Sequence, residues 1–165
     1  LYLEELVNKD STLTEHYIKN IHHLVLKEIY NENAGCYRTE NVVISGATYI
    51  PPNYLIARDQ MEKLPDWLST WTKMYHPLVV STLLHGEFVK IHPFVDGNGR
   101  TARLLMNFVT MQNGYPPLII KKEQRIEYYD ALDMAHTTGN YTAFVALIMK
   151  LADNALDFYL SVIEK

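Results

Sequence analysis

His92-Pro93-Phe94-Val95-Asp96-Gly97-Asn98-Gly99-Arg100-Thr101-Ala102-Arg103 is the stretch around which the rest of the chain is organised. It places a base, a carboxylate, a glycine-rich turn and two arginines within twelve residues, with an apolar helical segment on either side. The glycines flanking Asn98 let the backbone turn tightly and expose its N–H groups. A helix starting near Gly99 adds its dipole to those amides, which makes an anion site. Arg100 and Arg103, three apart, lie on neighbouring faces of that helix. His92 stands just outside the turn, where it can take a proton from a hydroxyl. Asp96 can hold a hard cation that also touches phosphate oxygens. A Gly-Asn-Gly turn alone is ordinarily only a turn, and a lone histidine is ordinarily structural or solvated. No helix cap requires a histidine, an aspartate and two arginines together, so the combination is read as a site for chemistry on phosphate.

The twelve residues resemble the Fic motif, His-Pro-Phe-x-Asp/Glu-Gly-Asn-Gly-Arg-x-x-Arg, at every defined position. The likeness extends roughly from Ser11 to Leu151. Fic proteins mostly transfer AMP from ATP to a hydroxyl side chain of a target protein, so the resemblance implies a protein adenylyltransferase. It implies His92 as general base, Asp96 as the Mg²⁺ ligand, and Gly97, Asn98 and Gly99 as phosphate-binding amides. The Asn98 side chain is expected to add a donor to the α-phosphate. Arg103 is expected on the terminal phosphate, and Arg100 on the loop and the β-phosphate region. Phe94 is expected to turn inward as an anchor. The same resemblance places Ser45, Gly46, Ala47 and Thr48 over the nucleoside, and Tyr128 and Tyr129 around adenine and ribose. His136 stands where near relatives often carry an asparagine. Gly99 leaves room for a triphosphate, whereas a relative that phosphorylates its target has lysine there. Transfer of another nucleotide, removal of AMP, and a non-catalytic ATP-binding or peptide-docking module are the alternatives. Many Fic proteins also carry an inhibitory helix, Ser/Thr-x-x-x-Glu-Gly/Asn, whose glutamate occupies the second motif arginine. Ser11 and Glu15 have that spacing, but His16 follows where Gly or Asn is expected. Ser161 and Glu164 are one residue too close. The chain begins at Leu1 inside a helical pattern, and the expectation is a single Fic domain over 1–165 with its regulatory segment upstream.

Composition sets the frame. A chain of 165 residues with 48% hydrophobic content is large enough for one cored domain. A net charge of −4 with no basic stripe argues against nucleic acid as partner. One cysteine, Cys36, excludes an internal disulfide. With no signal peptide and no apolar run of membrane-spanning length, a cytoplasmic location is expected. The expected partners are ATP and a target protein; self-association is left open.

Outward from the motif the pattern is helical. Leu1 to Val7 reads as a helix end, broken by Asn8, Lys9 and Asp10. Thr12 and Glu15 have capping-box spacing before a helix running to about Asn31. Its His16, His22 and His23 read as surface or packing residues. Cys36 to Pro52 carries two short β-branched runs around Ser45-Gly46, read as a hairpin. On the resemblance this hairpin is the flap on which a target backbone docks. Asn53 caps a helix that Pro65 interrupts and Asp66 restarts, with Trp67 and Trp71 in the core. His76-Pro77 starts a largely apolar helix ending at His92, with His85 a packing residue. The helix after the motif ends at Asn113-Gly114. Leu118 to Ile120 is an extended connector, and helices follow over about Lys122–His136 and Tyr141–Ile163. The fold class expected is all-α, a helical bundle around the motif helix pair with one small β-hairpin.

Overall fold

The computed structural model describes residues 2–9, 11–27, 29 and 31–163. Its helices are α1 (Tyr2–Asn8), α2 (Glu15–Leu26), α3 (Tyr54–Met74), α4 (Pro77–Ile91), α5 (Asn98–Gln112), α6 (Arg125–Thr138) and α7 (Thr142–Ile163). Short 3₁₀ turns lie at Asn31–Asn33 and Lys122–Gln124.

The central helix is α4. His76 Nδ1 accepts the Leu78 N–H at 3.3 Å, and Pro77 occupies the first turn, where its missing N–H costs nothing. Leu78, Leu84, Phe88 and Ile91 are buried on it together with Ser81, Thr82 and His85. The buried hydroxyls of Ser81 and Thr82 both donate to the Leu78 carbonyl, so they bring no unpaired polar group into the core. A helix apolar all round must be covered all round, and α3, α5, α6 and α7 all pack on α4. The partner it touches most is α5, which starts after the motif loop and also carries α1 and α2.

Several expectations are corrected. There is no hairpin: among the described residues there is no strand, and residues 41–53 form a loop with a turn at Ser45-Gly46. Ala47 N–H closes that turn on Ile44 O at 3.2 Å, and Gly46 takes φ +79°. None of the β-branched residues is fully buried: Val43 and Ile50 are 79% and 72% exposed, and Val42 and Ile44 are half-buried. The backbone groups that a ladder needs go elsewhere: Thr48 and Tyr49 N–H to Asp133, Glu40 and Pro52 carbonyls to Arg38. A lone two-stranded ribbon is marginal in water, and side-chain partners win here. Pro65 does not interrupt α3, which runs through it, because Met61, Leu64 and Leu68 on both sides of the proline are buried in one core. That burial offsets a proline cost of about 3 kcal/mol. Trp67 and Trp71 are half-buried at the core's edge, not within it. The cap of α2 is Thr14, whose Oγ1 accepts Tyr17 N–H, two residues beyond the expected one. α2 ends at Leu26; Leu1, Asp10 and Glu164, which entered the reading, lie outside the described residues, as do positions 28 and 30 within the span expected for α2. The apolar face of α7 is buried only through Ala152; Phe158, Leu160 and Val162 are exposed. Among the described residues no helix is long and apolar enough to cross a membrane.

Candidate active site

His92 ends α4 in the left-handed region, φ +50° and ψ +58°, its N–H held by Phe88 O at 3.1 Å. A non-glycine residue there is strained by about 1–2 kcal/mol. The loop over-determines it. Arg38, almost fully buried, donates through Nε to His92 O at 2.8 Å, and its other nitrogens hold Glu40 O and Pro52 O. Arg38 N–H also donates to Pro93 O. One guanidinium thus joins the motif loop to both ends of the 40–52 loop. On the imidazole, Nδ1 donates to Val89 O at 3.2 Å, which leaves Nε2 as the basic nitrogen. Burial lowers the His92 pKa below the ordinary histidine value, only partly opposed by the Val89 carbonyl.

The turn that follows is built from side chains. Asn98 is buried; its Oδ1 accepts Phe94 N–H at 3.0 Å and its Nδ2 donates to Phe94 O at 2.8 Å. The Asn98 amide is therefore turned into the loop, where the reading had it reach a phosphate. Phe94 is inward and fully buried, stacked flat on His22 at 3.5 Å between centroids and 3° between planes. His22 Nδ1 accepts Gly35 N–H, so Nε2 carries the proton and donates to Asp96 O at 2.8 Å. It is the packing residue expected, and in addition it braces the acidic turn. A Cβ on Gly97 would stand 3.1 Å from His22 Nε2, and Gly97 takes φ +79°, so only glycine fits without strain.

Gly97 has no side chain to cap α5, which leaves the first-turn amides for an anion. Asp96 Oδ1 already takes Gly97 N–H at 2.6 Å, and its Oδ2 pairs with Arg100 at 3.0 Å. That ion pair is largely exposed and worth about 0–1 kcal/mol, so either partner is easily drawn away. A Cβ at Gly99 would meet nothing within 4 Å.

These residues floor a cleft of about 750 Å³. Val89, His92, Gly99 and Arg103 line it from α4, the motif loop and α5; Ser45, Gly46, Ala47 and Thr48 line it from the loop opposite. Arg125, Tyr128, Tyr129, Asp133 and His136 close the third side. Among the described residues no carboxylate lies within 4.0 Å of Arg103. Glu15 is not its partner, being paired with Lys19 at 2.7 Å on α2. Of the residues predicted for the site, Asp96, Gly97, Asn98 and Arg100 sit in the loop and first turn beneath the cleft rather than on its lining. The tyrosines differ. Tyr129 is half-exposed with the Arg125 guanidinium 5.5 Å from its ring centre; Tyr128 is buried, its hydroxyl bonded to His85 Nε2 at 2.8 Å. His136 Nε2 donates to Gly86 O at 2.9 Å, and its ring packs on Tyr49. Arg38, His22 and Asp133 were not singled out from sequence as parts of the site.

Burial holds four histidines below their ordinary pKa: His22, His92, His136 at about 4, and His85, with Arg103 nearby, at about 3. The unfolded chain binds protons below about pH 6.5 that the native chain refuses. Their contribution is therefore fully present above that pH and is lost as pH falls toward the folded values. Thermal unfolding followed by circular dichroism should show the midpoint falling steadily from pH 6.5 to 4, with His136 alone removing up to about 3 kcal/mol. A midpoint constant over that range would show these imidazoles to be solvated.

The sequence profile of the Fic/DOC family matches residues 12–110. A protein adenylyltransferase Fic of Nematostella vectensis is 38% identical over 157 residues, covering 94% of this chain and 36% of the relative. One of Aedes aegypti is 39% identical, covering 94% of this chain and 31% of the relative. The chain thus spans about a third of the length of these curated relatives. Among solved structures, Fic-1 (residues 134–508) of C. elegans superposes with a TM-score of 0.83 at 32% identity, covering 98% of this chain and 49% of that one. With the motif, the helical core and the profile in agreement, the chain belongs to the Fic/DOC family.

Proposed function

We propose that residues 1–165 form a catalytic domain that moves AMP from ATP to a Ser, Thr or Tyr hydroxyl of a target protein. The observation that carries the reading is the presence, in one cleft, of a neutral imidazole with free Nε2 and an arginine beside which, among the described residues, no carboxylate stands. Arg103 and the uncapped amides of α5 take the phosphates; positioning and charge neutralisation are what phosphoryl chemistry requires of a protein. His92 Nε2 takes the proton of the target hydroxyl as that oxygen bonds to the α-phosphorus. The bond from the α-phosphorus to the bridging oxygen breaks, and pyrophosphate leaves. Ser45 to Thr48 and Tyr129 enclose the nucleoside. The strand edge on which a target was expected to dock is absent among the described residues, and Asp133 takes the Thr48 and Tyr49 N–H groups that would have served it. The curated relatives named as adenylyltransferases support the reaction class.

Among the described residues no three metal-ligating side chains cluster, yet Mg²⁺ on phosphate needs only one or two carboxylates, the rest being phosphate oxygens and water. Asp96 is exposed, with Oδ1 on Gly97 N–H and Oδ2 in a weak pair, and it fits that donor set once Arg100 yields Oδ2. Bound there, the ion would neutralise phosphate charge. Asp96→Ala is expected to raise the Mg²⁺ needed for half-maximal activity at least tenfold. An unchanged metal titration would remove Asp96 from this role. The reaction itself is tested with ATP labelled at the α- or γ-phosphate. Label from the α-position on protein and from the γ-position in pyrophosphate is expected; γ-label on protein would mean phosphate transfer instead.

A further inference from the structure

Asp133, on α6, accepts two consecutive backbone amides with one carboxylate oxygen: Thr48 N–H at 2.9 Å and Tyr49 N–H at 3.1 Å. The chain bends at Thr48, which lets both N–H groups converge on one oxygen, where in a strand they would point to opposite sides. Donor and acceptor are about 85 residues apart in sequence and join two adjoining walls of the cleft. Among the described residues these are the hydrogen bonds that tie 44–49 to α6; the turn bond from Ala47 to Ile44 is internal to the loop. The loop has no ladder and little buried apolar surface to hold it otherwise. Arg38 holds the ends of the longer 40–52 loop, and nearer the cleft the Tyr49 ring is set on His136 at 5.3 Å with Lys90 5.9 Å from the ring centre. Desolvation is the largest single influence on the Asp133 carboxylate and pushes its pKa up, but the hydrogen bonds from Tyr49 and Thr48 together outweigh it and hold the group below its ordinary value, ionised at neutral pH. A charged acceptor on paired amides is the strong form of such a bond.

We propose that Asp133 is a positioning residue that clamps the 45–49 loop over the cleft and so sets how tightly the nucleotide is held. The proposal rests on the nucleotide reading of the cleft. Asp133 touches no reacting atom; it acts through Thr48 and Tyr49, and Asn would keep the acceptor oxygen at reduced strength.

Hydrogen exchange of the ligand-free protein reads the clamp directly. Asp133→Ala should speed exchange of the 45–50 segment about tenfold while α4 and α5 keep wild-type protection, and Asp133→Asn should restore part of it. Unchanged exchange in Asp133→Ala overturns the clamp. Mg-ATP affinity by calorimetry should then fall about tenfold in Asp133→Ala and recover in part in Asp133→Asn, and in turnover the change should fall on KM rather than kcat. Faster exchange with unchanged affinity overturns the effect on nucleotide. A wild-type protein that binds no Mg-ATP sinks the nucleotide reading, and the exchange comparison still decides whether Asp133 holds the loop.

Discussion

His92→Ala is expected to lower adenylyl transfer by about 10²–10⁴-fold while leaving ATP affinity within about twofold. The split follows from geometry. The His92 Nδ1 is engaged by Val89, and Nε2 remains to serve the incoming hydroxyl. Phosphate binding falls to Arg103 and the α5 amides instead. The pH profile carries the same information. Because burial lowers the His92 pKa, the imidazole is already deprotonated at neutral pH. The wild-type rate should therefore be flat through neutrality and fall only below about pH 6.5, and the alanine variant should lose that acid limb. Labelling at near wild-type rate, or an acid limb that persists in the variant, would remove His92 from the role of base.

Phe94→Ala should lower the thermal midpoint by about 6–20 °C, from a loss of about 3–5 kcal/mol. Phe94 is fully buried against His22, Tyr37 and Phe88, and no neighbour can collapse into the space without releasing the turn. His22 holds Asp96 O and stacks on the same ring, so the cavity opens beneath the residues meant to hold phosphate. ATP affinity should fall at temperatures where the variant is still folded. Calorimetric unfolding and nucleotide titration at low temperature separate the two effects. A midpoint within about 2 °C of wild type would show that the ring is not the anchor.

How much was legible depended on sequence distance. The helices were readable because each repeats apolar residues at helical spacing and some carry a local cap, as at Asn53 and His76. His92, Gly99 and Arg103, expected together because one short segment carries them, do line one cleft, while Asp96 and Gly97 lie in the loop beside it. Arg38, His22 and Asp133 were not readable. Each meets the site across 54, 74 or about 85 residues, through a bond to backbone that leaves no mark on the residue type at the other end. The hairpin failed for the same reason. β-Branched runs signal strands, but the stretch is a loop, and Arg38 and Asp133 take the backbone groups that a ladder would have used. Pro65 was misjudged because local propensity cannot know that Met61 and Leu68 share a core.

Gly99 bears on how this architecture trades robustness for selectivity. It lies in the first turn of α5 with ordinary helical backbone, and space is open where a side chain would stand. Alanine would raise helix propensity there by roughly 0.5–1 kcal/mol. The fold has no use for the missing atoms; the empty volume belongs to whatever enters the cleft. A sequence drifting toward greater stability would fill position 99 early, and keeping it bare commits the chain to a deficit that folding alone would erase.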